Sequence, residues 1–262
     1  MELRVRDRAA FAATGGRPFD PALPTVVFVH GAGMDHTVWA LQSRYLAHHG
    51  RGVLAVNLPG HGRSDGPPLT SIEDMAAWLA EVLEAAGVES AAFVGHSMGA
   101  IAALSCAARH PDRVRALLLL GSAPAMPVHP DLLAAAKADA HDAIDMVNAW
   151  AHGGAAHRGG HPLSGTWLIG GGNRLLERAA PGVLHADLAA CNAYADGLAD
   201  AAKVACPTLV VMGQGDRMTP AKAGAKLVEA IAGARGHVIP GAGHMMMTEQ
   251  PDATLDAIKA EV

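Results

Sequence analysis

Three side chains far apart in the sequence have the types that acyl-transfer chemistry needs. Gly95-His96-Ser97-Met98-Gly99 fits the pattern G-x-S-x-G, with an apolar run before it and a helical pattern after it. In that context the two glycines permit a tight strand-to-helix turn, which lifts the serine hydroxyl clear of a sheet at the positive end of the following helix. A serine hydroxyl is a weak nucleophile near neutrality and needs a base that takes its proton and returns it to the leaving group. Of the 15 histidines, His244 stands out in Gly241-Ala242-Gly243-His244, a glycine loop between the last apolar run and the last helical pattern. The base in turn needs a carboxylate to fix its tautomer, and Asp216 in Gly213-Gln214-Gly215-Asp216 follows another apolar run. The chain order Ser97, Asp216, His244 is the one this triad takes on an α/β sheet, and a separation of 28 positions between the last two leaves room for one helix and one strand. Asp216 ahead of Thr219-Pro220 also reads as a plain helix N-cap. The tetrahedral oxyanion needs donors; the main-chain amides of Ala32, in His30-Gly31-Ala32-Gly33, and of Met98 are the candidates. His30 and His96 read as anchoring residues and not as proton carriers.

Such groups meet only if strands carry them to one end of a sheet. Six unalternating apolar runs, Thr25–His30, Gly52–Asn57, Ala91–Gly95, Arg115–Leu120, Thr208–Met212 and Gly236–Ile239, are bounded by Gly, Pro or Asn, as expected of strands buried on both faces. Helical patterns lie between them. Ser71–Ala86 opens with Ser71 and has Asp74 three residues on, a capping-box-like start, and stops before Gly87. Ala100–Arg109 stops before Pro111, Ala221–Ala232 stops before Gly233, and Pro251–Glu261 opens on a proline suited to a first turn. Glu2–Val5 and Arg8–Ala13 read as a leading antiparallel hairpin. This alternation predicts a parallel sheet covered on both faces. Between Ala125 and Lys203 it stops: Pro130–Trp150, Leu175–Ala180 and His185–Ala202 read as helices around a Gly- and His-rich stretch, His152–His161. The expected organisation is a catalytic domain of residues 1–124 and 204–262, with a helical cap inserted at 125–203.

The 262 residues suffice for one large α/β domain carrying an insertion. Half are apolar, 17% are charged and 4% are aromatic, which excludes a disordered chain and predicts a core of Ala, Val, Leu and Met. A net charge of −5 with no basic block gives no support to a nucleic-acid partner. Cys106, Cys191 and Cys206 are odd in number and widely spaced, and read as small hydrophobes instead of a disulfide or metal framework. The N-terminal residues lack a signal peptide's apolar stretch, and no run approaches the roughly 18 apolar residues of a membrane span, so a cytoplasmic protein without a membrane partner is expected. Gly170-Gly171-Gly172 lacks the dinucleotide pattern, no phosphate-cradling G-x-x-x-x-G-K occurs, and His152, His157 and His161 read as a loop, so neither cofactor nor metal is expected. Met34, Met218 and Met245, beside the chemical motifs, and Trp167 in the cap are candidate substrate-binding residues, with core packing the alternative for the methionines. Of the cap arginines Arg158, Arg174 and Arg178, one facing inward would indicate an acidic substrate.

The motifs His30-Gly-Ala-Gly33, Asn57-Leu-Pro-Gly-His-Gly-Arg-Ser64, Gly95-His-Ser-Met-Gly99, Gly213-Gln-Gly-Asp216 and Gly241-Ala-Gly-His244 together resemble the α/β-hydrolase family, in its capped, cofactor-free branch of serine esterases. The resemblance implies the α/β-hydrolase fold, an eight-stranded, mostly parallel sheet with helices on both faces and a helical lid after the sixth strand. Asn57 stands where Asp is commoner, at a site that is structural in the family. Ser97 at the elbow argues against the epoxide hydrolases and haloalkane dehalogenases, which carry Asp there. The expected activity is carboxylesterase cleavage of small esters through an acyl-enzyme. The alternatives are a carbon–carbon bond or enol-lactone hydrolase of aromatic degradation, and a non-enzymatic ligand-binding member. The expected partner is a small-molecule ester, and assembly as a homodimer is compatible with this reading.

Overall fold

The computed structural model describes residues 1–161 and 165–262 and organises them around one eight-stranded sheet. The strands are β1 (Glu2–Val5), β2 (Arg8–Ala13), β3 (Thr25–Val29), β4 (Gly52–Val56), β5 (Ala91–His96), β6 (Val114–Leu120), β7 (Thr208–Gly213) and β8 (Arg235–Ile239). Their spatial order is β1-β2-β4-β3-β5-β6-β7-β8. The leading hairpin pairs antiparallel, within itself and onto β4, and every later pairing is parallel. The helices are α1 (Ala40–Ala47), α2 (Ile72–Ala85), α3 (Met98–Arg109), α4 (Pro130–Lys137), α5 (His141–Ala151), α6 (Leu168–Leu176), α7 (Val183–Ala193), α8 (Gly197–Ala201), α9 (Ala221–Ala230), α10 (Met246–Glu249) and α11 (Pro251–Lys259).

Strands β3, β4, β5 and β7 are buried at every residue, because helices cover both faces of a parallel sheet. On one face Ile72, Leu79 and Leu83 of α2 and Ile101 and Leu104 of α3 pack on Val27, Phe93 and Leu117. On the other, Trp39, Leu46 and Ile258 pack on Phe28, Val94 and Leu118. Each such fully buried side chain contributes about 1.5–3 kcal/mol relative to leaving it in water. The helices between β6 and β7 belong to these same clusters: Leu132, Val147 and Leu188 join the second, and Cys191 and Tyr194 the first.

Ser71 caps α2 as its position predicts, accepting the Asp74 amide at 3.1 Å, while the Asp74 carboxylate turns outward to Arg6 at 2.7 Å. Other elements differ from expectation for physical reasons. β8 is an edge strand with four of its five residues exposed, not a strand buried on both faces. α1 lacks an apolar period, since it buries Gln42 and Ser43 and leaves Leu41 52% exposed. The expected helix Pro130–Trp150 is two helices, broken where Asp139 adopts a positive φ of 49° and accepts the Gly182 amide at 2.7 Å. α6 runs through Gly170-Gly171-Gly172, where a Cβ on Gly170 would collide with the Trp167 ring and one on Gly172 with Asn148. The expected Leu175–Ala180 helix is therefore the end of an earlier one. Among the described residues there is no strand between β6 and β7, and no helix is long and apolar enough to cross a membrane.

Candidate active site

β3 lies between β4 and β5, so the chain leaves it to one side and later returns on the other. The loops after β3 and β5 part at their carboxyl ends, and open α/β sheets hold ligands in such a crevice. The register pairs Val29 with Gly95 and His96 with Leu120, which sets the loop His30-Gly31-Ala32-Gly33, the elbow and the end of β6 side by side.

Ser97 sits at φ 53° and ψ −119°, a backbone conformation that costs a non-glycine residue about 1–3 kcal/mol. The surroundings enforce it. The Ser97 amide donates to the Leu120 carbonyl at 2.9 Å. A Cβ on Gly95 would strike Gly99 and Ala100, and one on Gly99 would come within 2.5 Å of the Val29 and His30 carbonyl oxygens. α3 begins at Met98, whose amide, like every amide in a first turn, has no partner within its helix.

The loop after β7 brings Asp216 to His244. Asp216 Oδ2 accepts from His244 Nδ1 at 2.8 Å and from the Thr219 hydroxyl at 2.8 Å, and Oδ1 accepts the Met218 and Thr219 amides at 2.9 and 2.8 Å. The N-cap-like role and the histidine partnership thus coexist, one on each carboxylate oxygen. Burial alone would raise the Asp216 carboxyl, but the His244 ring and these donors outweigh it and hold it below its ordinary value. His244 is fixed from behind, its amide donating to the Ala151 carbonyl at 2.7 Å and its own carbonyl accepting from His96 Nε2 at 3.0 Å. Burial pushes His96 well below the usual histidine range, as its anchoring role requires. His30 is likewise neutral, lowered to about 3 by burial and by the nearby His61, and its Nε2 accepts the Leu58 amide at 3.1 Å.

Ser97, His244, Ala32, Met34 and Met218 line one cavity of about 390 Å³, walled mostly by apolar side chains from the helices between β6 and β7, among them Leu132, Val147, Trp150, Leu184 and Leu188. Among the described residues no hydrogen bond joins Ser97 Oγ to the His244 ring, and in sites of this kind that bond commonly tightens only when substrate binds. Met245 and Trp167 do not reach this cavity. They line a second one of about 250 Å³, and Trp167 is 70% exposed. Arg174 and Arg178 are engaged in ion pairs with Glu177 and Asp35 at 2.7 and 2.8 Å, and it is Arg217, beside Asp216, that lines the Ser97 cavity. His152 and His161 face carbonyls of Asn148 and Thr248 at 3.1 and 2.7 Å. Asn57 Oδ1 accepts the His36 amide at 2.9 Å, a structural contact.

Thr219 and Gly121 escape the sequence reading. Thr219 has a signal, since an Asp followed by amides two and three residues on is a turn-forming arrangement. Gly121, just after β6 at φ +56°, has only its isolation as a signal. A Cβ there would lie 3.0 Å from His244 Nδ1.

A profile of the alpha/beta hydrolase family matches residues 26–257. The chain belongs to that family. A pimeloyl-[acyl-carrier protein] methyl ester esterase from Chromobacterium violaceum is 30% identical over 235 residues, 84% of this chain and 87% of that one. Three other curated relatives match over 106 to 115 residues, and the chain spans 29 to 39% of their length. Among solved structures, a thermophilic esterase aligns with TM-score 0.82 at 28% identity over 99% of this chain and 95% of its own. The enol-lactonase from Burkholderia xenovorans aligns with TM-score 0.88 at 22% identity over 99% and 98%, a likeness of fold alone. The esterase relatives of this family member support hydrolase activity.

Proposed function

We propose that the protein is a serine carboxylesterase acting through an acyl-enzyme. Ser97 Oγ attacks the ester carbonyl, and His244 Nε2 takes its proton and passes it to the departing alcohol. Asp216 holds the other ring nitrogen, and so fixes the tautomer and stabilises the imidazolium. The amides of Ala32 and Met98 receive the oxyanion. Water activated by His244 then releases the acid and restores Ser97. The helices of residues 125–203 act as a cap whose apolar side chains bind the acyl chain.

The observation that carries this reading is the 2.8 Å contact of Asp216 with His244, which lines the same cavity as the strained Ser97. The esterase relatives support an ester as substrate, and the largely apolar wall suits a hydrocarbon acyl group. The purified protein is expected to hydrolyse short p-nitrophenyl and methyl esters and to be labelled by a fluorophosphonate. Ser97→Ala is expected to lower kcat by about 10⁴-fold or more and to abolish labelling. Equal rates in the variant would remove the assignment.

A further inference from the structure

The loop that carries Ala32 is gripped from α7 by a carboxylate that no chemical motif announces. Asp187, with no exposure, accepts the Gly33 amide at 2.8 Å and faces His61 Nε2 at 2.8 Å through the same Oδ2. His61 is itself 2% exposed, and its Nδ1 faces the Pro59 carbonyl at 3.0 Å. A carbonyl can only accept, so Nδ1 carries a proton. As a carboxylate, Asp187 Oδ2 accepts both the Gly33 amide and a second proton donated from Nε2. In that arrangement His61 is an imidazolium paired with a carboxylate where water is excluded. Burial opposes that charge, but Asp187 outweighs it and raises His61 above its ordinary value. The charged and titratable groups nearby are Asp187 on α7, the neutral His30 with its ring centroid 4.8 Å away, and beyond it Asp35 and His36.

The grip is positional. Gly33 has φ +67°, and a Cβ on it would meet Leu184 at 2.9 Å and Leu176 at 3.2 Å, so α6 and α7 press directly on the loop. The Gly33 amide belongs to the peptide that follows Ala32, and fixing that peptide restricts the rotation that aims Ala32.

We propose that Asp187, charge-paired with His61, is a positioning residue that holds the Ala32 amide in its oxyanion-binding orientation, so that the helices between β6 and β7 complete the reaction centre as well as covering it. The proposal rests on the esterase reading above. Only a group aimed at the tetrahedral state should lose affinity for that state selectively. Breaking the pair is therefore expected to lower kcat by about tenfold to a hundredfold with KM changed less than about twofold.

The test compares the wild type with Asp187→Ala and with Asp187→Asn, which keeps an acceptor for Gly33 but removes the charge. The readouts are kcat, KM and the affinities for a trifluoromethyl ketone, which forms a tetrahedral adduct on serine, and for the carboxylic acid product. The expected result is that ketone affinity falls in parallel with kcat/KM while product affinity holds, with Asp187→Ala affected more than Asp187→Asn. Parallel losses of ketone and product affinity, or no loss of either, would overturn it. Nitrogen NMR of wild-type His61 needs no variant: both ring nitrogens protonated at neutral pH is expected, and a neutral tautomer would overturn the proposal. If the wild type hydrolyses no ester and takes no fluorophosphonate, the esterase reading fails, and the NMR measurement still decides whether the buried pair is charged.

Discussion

The imidazole of His244 has room for its place because Gly121 beside it lacks a side chain. Gly121 combines a positive φ of 56° with a Cβ position 3.0 Å from Nδ1 and 3.5 Å from Asp216 Oδ2. Gly121→Ala therefore has two costs: about 1–2 kcal/mol for an alanine in the left-handed region, and a displaced ring. Displacement of a reacting group by about 1 Å lowers rates by roughly 10²-fold. The variant is expected to fold with a lower melting temperature and to lose about tenfold to a hundredfold in kcat on p-nitrophenyl acetate. A variant with wild-type kcat would mean that the ring is not held by this contact. The residues proposed to react are legible in the sequence because glycine-flanked Ser, Asp and His at strand ends have few other reasons to occur. The residues that fix them are not. Thr219 is marked only by its turn with Asp216, while Gly121 and Asp187 act through contacts with residues 123 and 154 positions away, and nothing local marks those two.

Elements follow the same division. The strands are readable because a parallel strand buried on both faces must be apolar throughout; β8 is found as a strand too, but its position at the sheet edge, with four residues exposed, is not legible. Helices of the sheet layers announced themselves by caps and glycines, whereas α1, α6 and the break at Asp139 are set by what packs against them. The glycine loop before His244 is a case where position is decided by a distant element. Glu249, in α10, accepts the Gly243 amide through Oε1 at 3.0 Å and the Gly153 amide through Oε2 at 2.8 Å, so one carboxylate joins the histidine loop to the end of α5. Burial raises this carboxyl although both amides favour its charged form. Glu249→Gln keeps one acceptor and turns an NH₂ toward the other amide, leaving a buried N–H without a partner. That should destabilise the protein by about 1–3 kcal/mol. It should also speed exchange of the Gly153 and Gly243 amides ahead of the sheet, as read by hydrogen exchange. Unchanged exchange at both glycines would count against this role.

At the scale of the whole chain, these joints decide whether the helices between β6 and β7 can come away from the sheet. Leu132, Val147 and Leu188 share a core with Phe28 and Val94, and Asp187, Glu249 and the Ala151 carbonyl tie the segment to three loops at the strand ends. A segment sharing that much buried surface has no independent core, so one cooperative unfolding transition is expected. Trp39 and Trp78 report on the sheet layers, and Trp150 and Trp167 on the segment. Phe substitutions leaving one pair at a time should give the same melting temperature by fluorescence, coincident with loss of helical circular dichroism. An earlier transition seen by Trp150 and Trp167 would identify a separately melting segment. The same joints set the pH response. His61 is held above its ordinary value of 6.5. Its pairing therefore stabilises fully below that pH and is lost as the pH rises through the higher native value, because the native state then releases a proton that the unfolded state has already lost. The wild-type melting temperature should fall along this alkaline limb, with the transition still single. In Asp187→Asn the limb should be absent, because a buried histidine without its carboxylate is neutral throughout. A limb of equal size in the variant would show that another group titrates there.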